Sequence, residues 1–166
     1  LYQGLPKADK MELIIQKCVE LGVDRIVAVS PERAIVKLDK KETKKLERWQ
    51  KIAREASKQS GRCMLPEVGC PISFKELLKR LPEHDAAIVP WEDAEGYSLA
   101  AFQREHADIR SIAVVIGPEG GMSAEEVQQM QACGCKSVTL GPRILRTETA
   151  GLCAMSALFC LFGDME

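Results

Sequence analysis

The chain has 166 residues, 46% of them hydrophobic and 28% charged, which suits one globular domain with a sizeable core. A formal net charge of −1 excludes a uniformly basic nucleic-acid binder, and no apolar run approaches the roughly 20 residues a membrane helix needs. The charge is uneven, however: residues 1–83 carry 18 Lys and Arg against 12 Asp and Glu, and residues 84–166 carry 5 against 12, so a basic face and an anionic partner are expected.

In chain order, "LYQGLPK" reads as a strand already under way, with no signal peptide before it, as expected for an excised domain. Asp9-Lys-Met-Glu12 has the spacing of a capping box, and Met11, Ile14, Ile15, Cys18 and Leu21 follow at helical intervals up to a stop at Gly22. Residues 25–30, "RIVAVS", form a β-branched strand. A long helix is predicted from Lys40 to Ser60 with the apolar stripe Leu46, Trp49, Ile52, Ala53 and Ala56. Between Lys37 and Arg62 there are ten Lys and Arg against four Asp and Glu, which fits either a solvated helix face or a phosphate-binding one.

The runs 86–90, "AAIVP", and 111–117, "SIAVVIG", are continuously apolar, as in strands buried on both faces of a parallel sheet. Ser123-Ala-Glu-Glu126 is a second capping box, opening a helix that ends at Cys133 before Gly134. Residues 137–141 make a further strand. Thr149 to Phe162 is a helix apolar nearly all round, which requires burial by the fold or by a partner subunit. Strands and helices alternate, so the predicted class is α/β with a mainly parallel sheet between helices.

The seven cysteines lie mostly in apolar segments and read as reduced, buried and intracellular rather than as a disulfide framework. Cys133 and Cys135 form the only close pair, and no neighbouring histidine completes a metal site, so no metal is expected. His84 and His106 lie in polar stretches and read as solvated.

Ligands of open parallel sheets bind beyond the carboxyl ends of the strands. Three such ends carry unusual loops: Pro90-Trp91-Glu92, then Gly117-Pro118-Glu119-Gly120-Gly121 after Ile116, then residues 141–149 after Leu140. A glycine loop before a helix invites a phosphate, but Glu119 would repel one, and no nucleotide-binding glycine pattern is present. A neutral or cationic ligand fits better; a plain capped turn is the other reading. In the third loop Ile144 and Leu145 could form a slot for a flat ring. Arg143 and Arg146 could meet an anion, or Arg146 could simply pair with Glu148 or Glu119.

"IGPEGGMSAEE" (116–126) followed by "LGPRILRTETA" (140–150) resembles the C-terminal region of the SPOUT methyltransferases, an α/β fold with a C-terminal trefoil knot. Within them the chain resembles the RsmE-type enzymes that methylate uracil N3 of small-subunit (16S) ribosomal RNA. "KMELIIQKCVELGVDRIVAVSPERA" and "RWQKIAREASKQSGRCMLPEV" agree, so the resemblance covers essentially all 166 residues as one SPOUT domain. Members usually carry an N-terminal β-rich, PUA-like RNA-binding domain, which the resemblance implies is missing here.

The resemblance implies S-adenosyl-L-methionine as cofactor. Ile116, Gly117, Glu119, Gly120 and Gly121 would form one wall. Leu140, Gly141, Ile144, Leu145 and Arg146 would grip adenine and ribose, with Thr149 and Ala150 starting the helix beneath; Pro90, Trp91 and Glu92 match less tightly. It also implies a cytoplasmic homodimer acting on ribosomal RNA. The uracil imide becomes anionic at N3, so an arginine could stabilise its carbonyl oxygens; Arg146 is the first candidate and Arg62 the second. With no well-placed histidine, water or a carboxylate such as Glu148 or Glu119 would take the proton. Arg33, Lys51, Arg54, Lys58, Arg62 and Arg143 would hold RNA phosphates. Methylation at another RNA position, or a binding module without catalysis, are the alternatives.

Overall fold

A computed structural model describes residues 1–30 and 40–163. In chain order the elements are β1 (Tyr2–Gly4), α1 (Lys10–Leu21), β2 (Arg25–Ser30), α2 (Lys40–Gln59), β3 (Glu67–Ser73), α3 (Phe74–Arg80), β4 (Ala86–Pro90), α4 (Leu99–Glu105), β5 (Ile112–Ile116), α5 (Ala124–Ala132), β6 (Cys135–Val138) and α6 (Thr147–Leu161). The six strands form one sheet in the order β3-β2-β1-β5-β4-β6, with every pairing parallel.

The continuous apolar runs have a direct cause: successive strand residues feed two cores, one on each face of the sheet. Ile26, Ala28, Ile88, Val114 and Ile116 point to the side covered by α1, α2, α4 and α6, where Ile14, Trp49, Phe102 and Met155 pack. Val27, Val29, Ala87, Val89, Ala113 and Val115 point to the other side, with Phe74 and Leu77 of α3 and Val127 and Met130 of α5. Two-sided burial leaves no polar alternation along a strand.

Helix boundaries follow local chemistry. Ser123 caps α5: its hydroxyl accepts from the Glu126 amide at 3.2 Å, and Glu126 returns a bond from the Ser123 amide at 2.9 Å, a complete capping box. Ser123→Ala is expected to cost about 1 kcal/mol in a denaturant titration. At α1 the predicted box does not form. Asp9 makes no side-chain cap, and Glu12 instead pairs with Arg48 of α2 at 2.7 Å, joining the two helices.

Residues 67–73 form strand β3 at the sheet edge, where the missing N–H of Pro71 is tolerated. Two further expectations are corrected. Only Cys18 and Cys135 are buried, whereas Cys63, Cys70, Cys153 and Cys160 are exposed; all seven are free thiols. The histidines are half-buried: His84 sits 3.1 Å from the Tyr2 hydroxyl, and the His106 ring stacks on Phe102 with centroids 4.5 Å apart. Burial pushes His84 below its ordinary pKa.

α6 starts two residues earlier than expected, at Thr147. One side is buried through Gly151, Ala154, Met155 and Leu158, while Cys153 and Cys160 are exposed and Leu152 and Phe159 are half-covered. No helix among the described residues is long and apolar enough to cross a membrane.

Candidate active site

The sheet order places the carboxyl ends of β1, β5, β4 and β6 next to one another. Their outgoing loops surround a cleft of about 740 Å³. From β4 come Pro90, Trp91, Glu92 and Ala94. From β5 come Ile116 to Met122. From β6 come Thr139 to Arg146, continuing into Thr147, Glu148 and Ala150 of α6. From β1 comes Lys10, at the start of α1.

A buried polar chain fixes these loops. Gln3 of β1, fully buried, donates through Nε2 to the Thr147 hydroxyl at 2.8 Å and to the Gly4 carbonyl at 3.0 Å. Thr147 in turn donates to the Gly117 carbonyl at 2.5 Å. β1, the β5–α5 loop and the first turn of α6 are thereby tied together beneath the cleft. The β1 end also approaches that loop closely: a Cβ on Gly4 would stand 2.5 Å from the Pro118 nitrogen. In the third loop Gly141 adopts φ 102°, a left-handed conformation that turns the chain away from β6.

The electrostatics centre on Lys10. Its ammonium lies 3.3 Å from Glu119 and 3.4 Å from Glu148. Glu119 also accepts from the Lys7 amide at 2.9 Å; that bond first, and then Lys10, holds its carboxyl below the usual range. Glu148 is lowered first by its own backbone N–H in the opening turn of α6 and then by Lys10. Its buried Oε2 is close enough to Lys10 for an ion pair but makes no hydrogen bond. Among the described residues Arg143 and Arg146 carry no ion pair, so Arg146 pairs with neither Glu148 nor Glu119. Both arginines are exposed at the cleft.

A model of the RNA methyltransferase domain matches residues 1–159. The chain belongs to that family. It is 44% identical over 163 residues to ribosomal RNA small subunit methyltransferase E of Bacillus subtilis, covering 95% of this chain and 64% of that protein. Its namesake from Aquifex aeolicus is 36% identical over 159 residues, covering 95% of this chain and 66% of that protein. Among solved structures, ribosomal RNA small subunit methyltransferase E from Neisseria gonorrhoeae bound to S-adenosyl methionine superposes with a TM-score of 0.83 at 40% identity, over 99% of this chain and 66% of that one. A methyltransferase from Legionella pneumophila in complex with the bound cofactor SAM gives 0.83 at 34% identity, over 96% and 64%. The chain spans just under two thirds of the length of these relatives.

Within this RNA methyltransferase domain, all but one of the residues expected at the cofactor line the same cleft: Pro90, Trp91, Glu92, Ile116, Gly117, Glu119, Gly120, Gly121, Leu140, Gly141, Ile144, Leu145, Arg146 and Ala150. Thr149 is exposed but is not among the lining residues. Glu148 and Arg143 join the lining; Arg62 does not. The Arg62 guanidinium donates to the carbonyls of Val19 at 3.0 Å and Val23 at 2.7 Å and lies 3.5 Å from Asp24. It therefore caps the C-terminal end of α1, which leaves it committed away from the cleft. Lys51, Arg54 and Lys58 are exposed on α2, with Lys58 3.1 Å from Glu55. Arg33 lies outside the described residues.

Sequence reasoning missed Lys10, Thr147 and the buried Gln3. A signal for Lys10 was present: "LYQGLPK" already read as a strand, and the same carboxyl-end rule applied to it leads to the segment "LPKADK".

Proposed function

We propose that this domain transfers a methyl group from S-adenosyl-L-methionine to N3 of a uracil in small-subunit (16S) ribosomal RNA, as a cytoplasmic homodimer. The observation that carries the reading is the cleft at the ends of β1, β5, β4 and β6. Its lining includes residues 116–122 and all of 140–150 except Thr149, in a fold shared with relatives solved with this cofactor. The trefoil threading of the C-terminal segment, and the role of the 166 residues as a single catalytic unit, belong to the same proposal.

The cleft chemistry fits the cofactor. Its volume lies within the range of small-molecule sites. Ile116, Leu140, Ile144 and Leu145 supply apolar walls for a flat ring, and Ile144 is 82% exposed, which leaves its side chain available to a ligand. Glu92, Glu119 and Glu148 offer carboxylates to the cationic part of the cofactor, while Lys10, Arg143 and Arg146 balance their charge and leave cations for its carboxylate. When bound, the cofactor supplies an electrophilic methyl group for an in-line displacement.

The protein's own residues then position and stabilise. Arg146, unpaired at the cleft, faces the negative charge that develops on the uracil carbonyls once N3 loses its proton. Glu119 and Glu148 are both held below the ordinary carboxylate range, so at neutral pH they are ionised but weak bases. The N3 proton leaves to one of these carboxylates or to solvent water, and Arg146 stabilises the anion left behind.

The test is methyl transfer to small-subunit ribosomal RNA followed by nucleoside analysis of the product. N3-methyluridine supports the reading; a methylated ribose or guanine, or no transfer with cofactor bound, overturns it. For RNA contact, Lys51, Arg54 and Lys58 form an exposed basic row on α2. Changing all three to Glu is expected to weaken RNA binding by about 10-fold or more and to flatten its salt dependence, measured by titration at several ionic strengths. The half-covered apolar side of α6 supports dimerisation, which sedimentation at micromolar concentration checks; a monomer there contradicts it.

A further inference from the structure

We propose that Lys10 is a positioning residue of the site: it clamps the β5–α5 loop to the first turn of α6 and, by occupying Glu119 and Glu148, keeps Arg146 unpaired toward the cleft. The consequence for methyl transfer rests on the function proposed above; the clamp itself does not.

Three observations carry the inference. First, among the described residues Lys10 is the only lining residue contributed by the β1 side, and its ammonium reaches carboxylates from two segments distant in sequence, at 3.3 and 3.4 Å. Second, the segment that delivers it is held in place. Ala8 takes a left-handed φ of 54°, which non-glycine residues rarely adopt, and the Lys7 amide donates to the same Glu119 carboxylate. Third, without Lys10 the two carboxylates would face each other with no cation between them. Arg146, two residues before Glu148 and already acting electrostatically on it, would be a replacement. A clamp that collapses this way takes the anion-stabilising group out of action as well as loosening the wall.

Hydrogen exchange on the ligand-free protein reads the clamp directly. Lys10→Met is expected to speed amide exchange in residues 117–122 and 147–150 while leaving β2 and the body of α2 unchanged. Unchanged exchange in both loops overturns the clamp, and an exchange increase spread over the whole chain shows general destabilisation instead and also overturns it.

Calorimetric titration with S-adenosyl-L-methionine reads the consequence. Lys10→Met is expected to weaken binding by about fivefold, in line with a partly exposed charge network, and Lys10→Arg to stay within about twofold of the parent. Combining Lys10→Met with Glu148→Gln removes the uncompensated charge, so the double variant is expected to bind no worse than Glu148→Gln alone. If the two losses instead multiply, Lys10 does not act through Glu148 and the inference fails. If the parent chain itself does not bind the cofactor, the functional reading falls, and the exchange measurement still decides the clamp.

Discussion

Arg146→Ala is expected to lower methyl-transfer turnover by about 10²–10³-fold while the dissociation constant for S-adenosyl-L-methionine moves by no more than a few fold. The residue sits where its chemistry is costly to keep. It occupies the N-cap of α6 without making a side-chain cap, at a helix end where Ser, Asp or Asn is preferred and positive charge opposes the helix dipole. Its backbone is fixed regardless of the side chain, since its carbonyl accepts from the amides of Thr149 and Ala150 at 2.8 Å. Truncation therefore leaves the loop in place and removes the guanidinium alone. Arg146→Ser supplies a favourable cap, so it is expected to raise thermal stability slightly while losing turnover to the same extent. That opposite movement of stability and activity is the signature of a residue kept for function. Wild-type turnover in Arg146→Ala, or a loss explained entirely by weaker cofactor binding, would sink the assignment.

The second large effect lies at Gly4. A methyl group there would stand 2.5 Å from the Pro118 nitrogen, 2.6 Å from its ring Cδ and 2.8 Å from the Gly117 carbonyl carbon. These partners belong to the backbone and a rigid ring, so none can swing aside. Gly4→Ala is expected to cost about 3 kcal/mol in a denaturant titration, near the upper end for overpacking. The clash also falls on the wall of the cleft. Because the Gly117 carbonyl is held by Thr147, and Thr147 by Gln3, pushing the loop outward strains the whole buried chain. Variant protein that still folds is thus expected to bind the cofactor more weakly. A fully stable variant with normal affinity would show that the loop yields at little cost and that its position is not set by β1.

Most of the site was legible in the sequence because it is local. Gly117 to Gly121 and Leu140 to Arg146 are short runs of unusual residues at strand ends, and the rule that ligands bind beyond those ends applies without knowing the strand order. Long-range pairings were not legible. Nothing in "KADK" says that Lys10 meets Glu119 and Glu148, because that meeting depends on β1 lying beside β5, a non-consecutive pairing. Arg62 shows the same limit. In "SKQSGR" it reads as a member of a basic run and as the second candidate for the anion-stabilising arginine, yet its fate is decided by the carbonyls at the far end of α1. β3 was hidden for a local reason: Gly69 and Pro71 are poor strand residues, and only its place at the sheet edge makes them acceptable. The false capping box at Asp9 is the reverse case, a correct local pattern outcompeted by the Glu12–Arg48 pair between helices.

The central claim is that the cleft beyond β1, β5, β4 and β6 is a cofactor site. Titrating S-adenosyl-L-methionine into the 166-residue chain while following its backbone amides tests this most directly. The predicted result is saturable binding with one equivalent per chain. Its shifts should be concentrated at Trp91 and Glu92, at residues 116–122 and 140–150, and at Lys10. Absence of saturable binding, or shifts gathered elsewhere, such as the shallow hollow lined by Tyr97, Gln131 and Lys136, would contradict it.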